Sequence, residues 1–284
     1  DAIFYSADVH GNQITGERLR CISRIINHSS TGEGVLTVVT TMDGIADRLI
    51  PVERFKEAVI TLDYSSEIEP EKLAKKLVAM GFVRTGMVED KGQFAIRGGI
   101  IDIFSYTDEA PVRIELWDTE VDSIRMFDVE SQRSIERLQS YSIFPATEYI
   151  FTEDELKNGL YNIKKECDRQ LECFDYGKRK RTKEQIEAGN NLNKLVADVE
   201  RTGNYEKFTD TIVADTVGLA EYFPEENTLV VLDEPNRLKE CNELTLYEYN
   251  ESMKNRLAAG YVLPSQTNKV KAMNEIISDL RNNK

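Results

Sequence analysis

Two short aliphatic runs, widely separated in the chain, constrain the fold more than any other feature. Gly34-Val-Leu-Thr-Val-Val-Thr-Thr41 and Thr228-Leu-Val-Val-Leu232 both lack the polar alternation of a half-exposed strand. Near-continuous β-branched and aliphatic residues suit a strand covered on both faces, as in a parallel sheet sandwiched by helices. One such strand cannot form a sheet by itself. The economical expectation is that both runs enter one parallel sheet whose other strands come from elsewhere. The middle module between them, residues 59–149, is then an insertion in a discontinuous α/β domain.

The texture of the chain agrees with three regions. In residues 1–58, Leu19, Ile22, Ile25 and Ile26 recur at helical spacing between Gly16 and His28, the first aliphatic run follows, and a second helical stretch leads from Asp43 to Arg54-Phe55. Residues 59–149 read as a small α+β module. Val59-Ile-Thr-Leu62 is a strand, and Glu69-Pro-Glu-Lys-Leu to Met80-Gly81 is a helix with proline at its start and glycine at its end. Strand patterns then span Gln93–Phe104, Val112–Trp117 and Val121–Phe127. Val112, Ile114 and Leu116 alternate with Arg113, Glu115 and Trp117, the period-two pattern of a sheet with one buried face. Residues 150–284 are mostly helical, from Glu153 to about Arg201 and then in shorter helices.

Charge and cysteine usage narrow the function classes. Lys+Arg 36 against Asp+Glu 50 leaves a net charge of −14, so the surface as a whole is not a glove for nucleic acid or an anionic membrane. No apolar run approaches the roughly 20 residues that cross a bilayer. The opening DAIFYSADVH shows no signal peptide and no initiating Met, which reads as a piece of a longer protein. Cys21, Cys167, Cys173 and Cys241 are scattered, and with only His10 and His28 they assemble no zinc-ligand spacing, so no metal is expected. Cys167 and Cys173 fall about 240° apart around a helix, on different faces. Reduced thiols and a cytoplasmic location follow.

Few residues propose chemistry. Leu229-Val-Val-Leu-Asp233-Glu234 has the form of a Walker B strand, in which an aspartate at a strand end holds Mg²⁺ through water and a glutamate activates water. Nucleotide binding also needs a glycine loop with Lys and Ser/Thr, G-x-x-x-x-G-K-[ST], and none occurs in this sequence. Asp233 and Glu234 therefore read as a degenerate site, and no cofactor is expected. Lys178, Arg179, Lys180, Arg181 and Lys183 form the one dense basic run: either a phosphate-contacting patch or, preferably, a solvated loop between helices. Gly98-Gly99 is not a nucleotide fingerprint, because strand rather than helix follows, and it reads as a bulge or sharp bend. No carboxylate stands beside a His, so no catalytic acid or base is nominated.

Phe94-Ala-Ile-Arg-Gly-Gly-Ile-Ile-Asp-Ile-Phe104, Pro111-Val-Arg-Ile-Glu-Leu-Trp117 and Asp122-Ser-Ile-Arg-Met-Phe-Asp-Val-Glu-Ser-Gln-Arg-Ser134 strongly resemble the bacterial transcription-repair coupling factors (Mfd), in the N-terminal module homologous to the excision-repair protein UvrB. The likeness continues through Phe144-Pro-Ala-Thr-Glu148 and Tyr222-Phe-Pro to Asp233-Glu234. The resemblance implies a degenerate RecA- or helicase-like parallel-sheet domain split around a second domain that binds UvrA. Its residues 1–58 and 150–284 would be the halves of domain 1, and 59–149 the inserted domain. It implies recruitment of UvrA to a lesion-stalled RNA polymerase, without catalysis in this region. The ATP- and Mg²⁺-dependent motor and the contacts with RNA polymerase and DNA would lie in other parts of such a protein. Family positions for UvrA binding fall on Arg97, Arg113 and Trp117, the last often Phe in the family. A hairpin of 94–104 with 112–117 turning near Thr107 would set Arg97 opposite Trp117. The alternatives are a piece of UvrB itself, or a DNA-binding or ATP-dependent helicase-type domain.

Overall fold

The computed structural model describes residues 12–32, 34–175, 181–213, 215–223 and 225–282. Along the chain, helices α1 (Asn12–Thr31), α2 (Met42–Ile45) and α3 (Val52–Ala58) precede strand β1 (Ile60–Asp63) and helix α4 (Pro70–Ala79). Seven strands follow: β2 (Val83–Arg84), β3 (Gln93–Arg97), β4 (Ile100–Phe104), β5 (Val112–Trp117), β6 (Glu120–Phe127), β7 (Ser134–Arg137) and β8 (Ser140–Ile143). Helices α5 (Glu153–Asp175), α6 (Lys183–Thr202), α7 (Thr209–Ile212), α8 (Pro235–Ala258) and α9 (Met273–Asn282) complete it. The chain is α/β with a mixed sheet. Its described residues divide into two compact units, one built from 12–36 with 52–150 and the other from 37–51 with 151–282.

The first unit is organised by a six-stranded sheet in the order β2-β3-β4-β5-β6-β7, while β1 and β8 pair separately. The β2–β3 pair is parallel and the other neighbours are antiparallel. Alternation sends Phe94, Ile101, Ile103, Val112, Ile114 and Ile124 to one face, where they join Leu73 and Leu77 of α4, Phe82, Tyr141 and Ile143 in one core. Pro70 opens α4, where a missing N–H costs nothing, and the left-handed Gly81 (φ +87°) lies just past its end. Between β4 and β5 the loop is held by polar contacts: the Tyr141 hydroxyl donates to Asp108 Oδ2 at 2.6 Å, and Lys91 Nζ donates to the Asp108 and Tyr106 carbonyls. Burial pushes the Asp108 carboxyl above its ordinary range, although Tyr141 and Thr107 bond to it. Helix α1 belongs to this unit too. Gly16 faces the Tyr106 ring so closely that a Cβ there would meet Cδ1 at 2.6 Å, and Arg18 forks onto Glu148 at 2.6 and 2.8 Å.

The second unit is mostly helical. Thr182 caps α6 through a reciprocal box with Gln185, and Gly203 closes it in the left-handed region. Its core gathers Met42 and Ala46 with Tyr249 and Met253 of α8, and with Val262, Val270, Met273 and Ile276. A buried asparagine clips two segments there: Asn242 Nδ2 donates to the Lys271 carbonyl, and its Oδ1 accepts from Met273 N–H. Leu49 and Val217 exchange both backbone hydrogen bonds, at 2.9 and 2.8 Å, which ties residues 37–51 to the C-terminal stretch. Cys167 is buried and Cys173 exposed on α5, in keeping with their separation around the helix.

The two aliphatic runs correct the sequence expectation. Neither 35–41 nor 228–232 enters a ladder among the described residues, and Val39 and Leu229 are 91% and 87% exposed. Among the described residues the one parallel pair is β2–β3, inside the small sheet. β-propensity describes a residue's fit to a pleated surface that its neighbours must supply, and no described strand supplies one here. Of the two readings of Gly98-Gly99 the sharp bend holds: it is a complete two-residue turn, and the Gln93–Phe104 pattern is two strands rather than one. Gly98 takes φ +61°, and a Cβ on Gly99 would sit 2.8 Å from the Leu116 carbonyl oxygen, so both positions need glycine.

Because Ile114 is fully buried at the centre of the sheet's core face, Ile114→Ala is expected to destabilise the first unit by about 2–5 kcal/mol. Urea unfolding followed by circular dichroism checks this, and a loss below about 1 kcal/mol would contradict the assigned facing.

Candidate functional site

The opposite face of the same sheet carries the charged residues. Cross-strand pairing aligns Arg97 (β3) with Ile100 (β4) and Glu115 (β5), and in the next row Ala95, Asp102, Arg113 and Arg125 across β3 to β6. Residues two apart on a strand share a face, so both rows point away from the core. Arg97 does not lie opposite Trp117 as the single-hairpin register had it. Strand β4 runs between β3 and β5, and Arg97 pairs with Ile100 across the Gly98-Gly99 turn. Arg97 and Trp117 nonetheless finish at one end of the sheet.

Asp102 organises this face. It is 1% exposed and receives Arg113 Nε on Oδ1 at 2.6 Å and Arg113 Nη2 on Oδ2 at 2.9 Å. Arg97 Nη2 reaches Oδ2 from the other side at 2.5 Å, and Arg97 Nη1 donates to the Gly86 carbonyl at 3.3 Å. Two guanidiniums thus converge on one buried carboxylate. The fork geometry of Arg113 is the strong bidentate form, and the Asp102 bond holds its guanidinium still more firmly charged. Arg113 is further enclosed: its Cζ stands 4.3 Å from the centroid of the Phe127 ring, and Nη2 also donates to Gln132 Oε1 at 2.8 Å.

Gln132 is held in place by its own turn. Asp128 Oδ1 accepts from Ser131 N–H and Oγ at 2.8 and 2.6 Å, which keeps the Asp128 carboxyl below the usual carboxylate range. Gln132 sits at φ +57° with its Nε2 on the Val129 carbonyl. Beside this network Glu115 accepts Ser123 Oγ at 2.7 Å and pairs with Arg125. Beyond it, Trp117 ends β5, pairs with Glu120 across a tight turn, and is 79% exposed.

The three residues nominated from sequence therefore have different situations. Trp117 is presented to solvent, and Arg97, with 40% of its side chain exposed, is half-presented. Arg113, with 12% exposed, is part of the platform. Sequence reasoning passed over Asp102 and Gln132. The available signal was an acid in the middle of the aliphatic strand Ile100-Ile-Asp-Ile-Phe104.

The other nominations fare differently. Asp233 is exposed, and Glu234 adopts a left-handed backbone (φ +47°) before α8 and pairs with Arg237 at 3.1 Å. No strand carries them, so the Walker B geometry expected of this segment is not formed among the described residues. Lys178, Arg179 and Lys180 lie outside the described residues, while Arg181 is half-buried and Lys183 exposed at the start of α6. Among the described residues no cluster of His, Cys, Asp and Glu converges to hold a metal ion, and no helix is long and apolar enough to cross a membrane.

Residues 60–149 match the model of the UvrB interaction domain family. Over 260 residues, 88% of this chain, it is 36% identical to a transcription-repair-coupling factor of Bacillus subtilis. It is 33% and 32% identical to proteins of the same name from Staphylococcus epidermidis and Staphylococcus haemolyticus, over 87% of its length in each case. The chain spans about a fifth of the length of these curated relatives, 20–21%.

Removing Arg113 leaves Asp102 buried with one partner fewer, whereas removing Arg97 leaves the bidentate pair intact. Arg113→Ala is expected to cost about 2 kcal/mol or more of stability, and Arg97→Ala about 1 kcal/mol or less, since its guanidinium is partly screened by water. Chemical denaturation of the two variants compares them directly, and equal losses would contradict this division of roles.

Proposed function

We propose, for a chain that is a relative of the bacterial transcription-repair coupling factors and holds a UvrB interaction domain at residues 60–149, that the polar face of its six-stranded sheet docks UvrA. The observation that carries this reading is the exposed Trp117 at one end of a face where two arginines are fixed on a buried aspartate. An exposed indole offers large contact area at small entropic cost, and the Arg97 N–H groups not turned to Asp102 and Gly86 are left for a partner's acceptors. Tryptophan and arginine are the residues most often found to dominate binding interfaces.

On this reading the chain is a recruitment module that brings UvrA to RNA polymerase stalled at a lesion, in transcription-coupled nucleotide excision repair. It works in the cytoplasm and carries no catalytic residue and no cofactor of its own. ATP-driven movement on DNA and the grip on RNA polymerase belong to the remaining four-fifths of such proteins. A nucleotide-hydrolysing role for this chain lacks support, since Asp233 and Glu234 lie on no strand among the described residues and the given sequence holds no G-x-x-x-x-G-K-[ST] loop. The net charge of −14 likewise disfavours a stable grip on DNA by this chain alone.

Titration of purified UvrA against the chain is the test. Arg97→Ala and Trp117→Ala are each expected to weaken binding by about 2 kcal/mol or more, roughly thirtyfold. Trp117→Ala should leave stability within about 0.5 kcal/mol, as befits an exposed side chain. Unchanged affinity in both variants would overturn the assignment of this face.

A further inference from the structure

The carboxylate of Asp102 is not accounted for by stability. It lies between the fully buried Ile101 and Ile103, on the opposite face to theirs, beside a small apolar cluster of Val88, Ala95 and Phe104. An apolar side chain there would extend that cluster, and replacing a buried ion pair with well-packed apolar groups is often neutral or stabilising. What the carboxylate supplies instead is direction. Arg97 is a long side chain with many rotamers, and 40% of it is exposed. The bond from Nη2 to Asp102 Oδ2, with Nη1 on the Gly86 carbonyl, fixes the guanidinium plane at two points. The same carboxylate locks Arg113 through both oxygens, with Gln132 and the Phe127 ring closing the other sides.

We propose that Asp102 is a positioning residue of the UvrA-docking face: it holds Arg97, and Arg113 beneath it, in the orientation the partner meets. This rests on the reading of that face given above. Preorganising a charged side chain before encounter removes part of the ordering cost of association, so loss of the anchor is felt as weaker binding.

The experiment is a set of double-mutant cycles on the full 284-residue chain, with UvrA affinity and urea unfolding measured for every variant. Asp102→Asn keeps the shape and removes the charge, and is expected to weaken UvrA binding at least tenfold. On an Arg97→Ala background its effect should be at least threefold smaller, because one of the two groups it positions is gone. On a Trp117→Ala background its effect should be undiminished. A merely structural aspartate would give the same loss on all three backgrounds, and that result, or a loss below twofold from Asp102→Asn alone, would overturn the proposal. If Arg97→Ala and Trp117→Ala by themselves leave affinity unchanged, the docking face is misassigned. If they weaken it and Asp102→Asn does not, only the role of Asp102 fails. Should Asp102→Asn not fold, Asp102→Glu retains the charge and displaces the carboxylate by one methylene. It is expected to weaken binding at least threefold, and unchanged binding would overturn the proposal.

Discussion

One buried carboxylate shared by two arginines governs what this sheet presents. Without it, Arg97 would keep only the Gly86 carbonyl and Arg113 only Gln132 and the Phe127 ring. With it, Arg113 is drawn down onto Phe127 and Gln132, and Arg97 is tethered at the end of β3. The arrangement depends on register. Asp102 and Arg113 are direct cross-strand partners, and a slip of one residue would send the carboxylate into the apolar core. The turn at Gly98-Gly99 and the packing of Ile101, Ile103 and Ile114 against α4 therefore determine the polar face as much as the hydrophobic one. The two faces are one structural solution.

This makes the division of labour among the arginines intelligible. Arg113 is the more conspicuous residue in a motif, but its burial makes it a support. Arg97 and Trp117, at one end of the sheet, are the two of the three that reach solvent.

How far the sequence foretold this varies with the physics of each element. Val112, Ile114 and Leu116 alternate so regularly that strand, facing and core membership were all legible, and the Pro70–Gly81 bracket located α4 nearly to the residue. Gly98-Gly99 was ambiguous because a bulge and a turn both make use of a positive φ, and only the partner strand distinguishes them. The edge strand β7, Ser-Ile-Glu-Arg, was missed because all four of its residues are exposed and it has no buried face to generate a pattern. The runs at 35–41 and 228–232 misled in the opposite sense: their side chains suit a covered strand, but pairing is a property of neighbours, not of the run. Asp102 was invisible for the same reason, since an acid amid isoleucines declares its purpose only when Arg97 and Arg113, from two other strands, are brought to it.

Amide hydrogen exchange with and without saturating UvrA shows whether UvrA rests at one end of this sheet, as proposed. Slowed exchange is expected to be confined to the Arg97–Ile100 and Trp117–Glu120 turns and the strand ends flanking them, with residues 151–284 unchanged. Protection falling in 151–284 while both turns exchange at their free rates would contradict it.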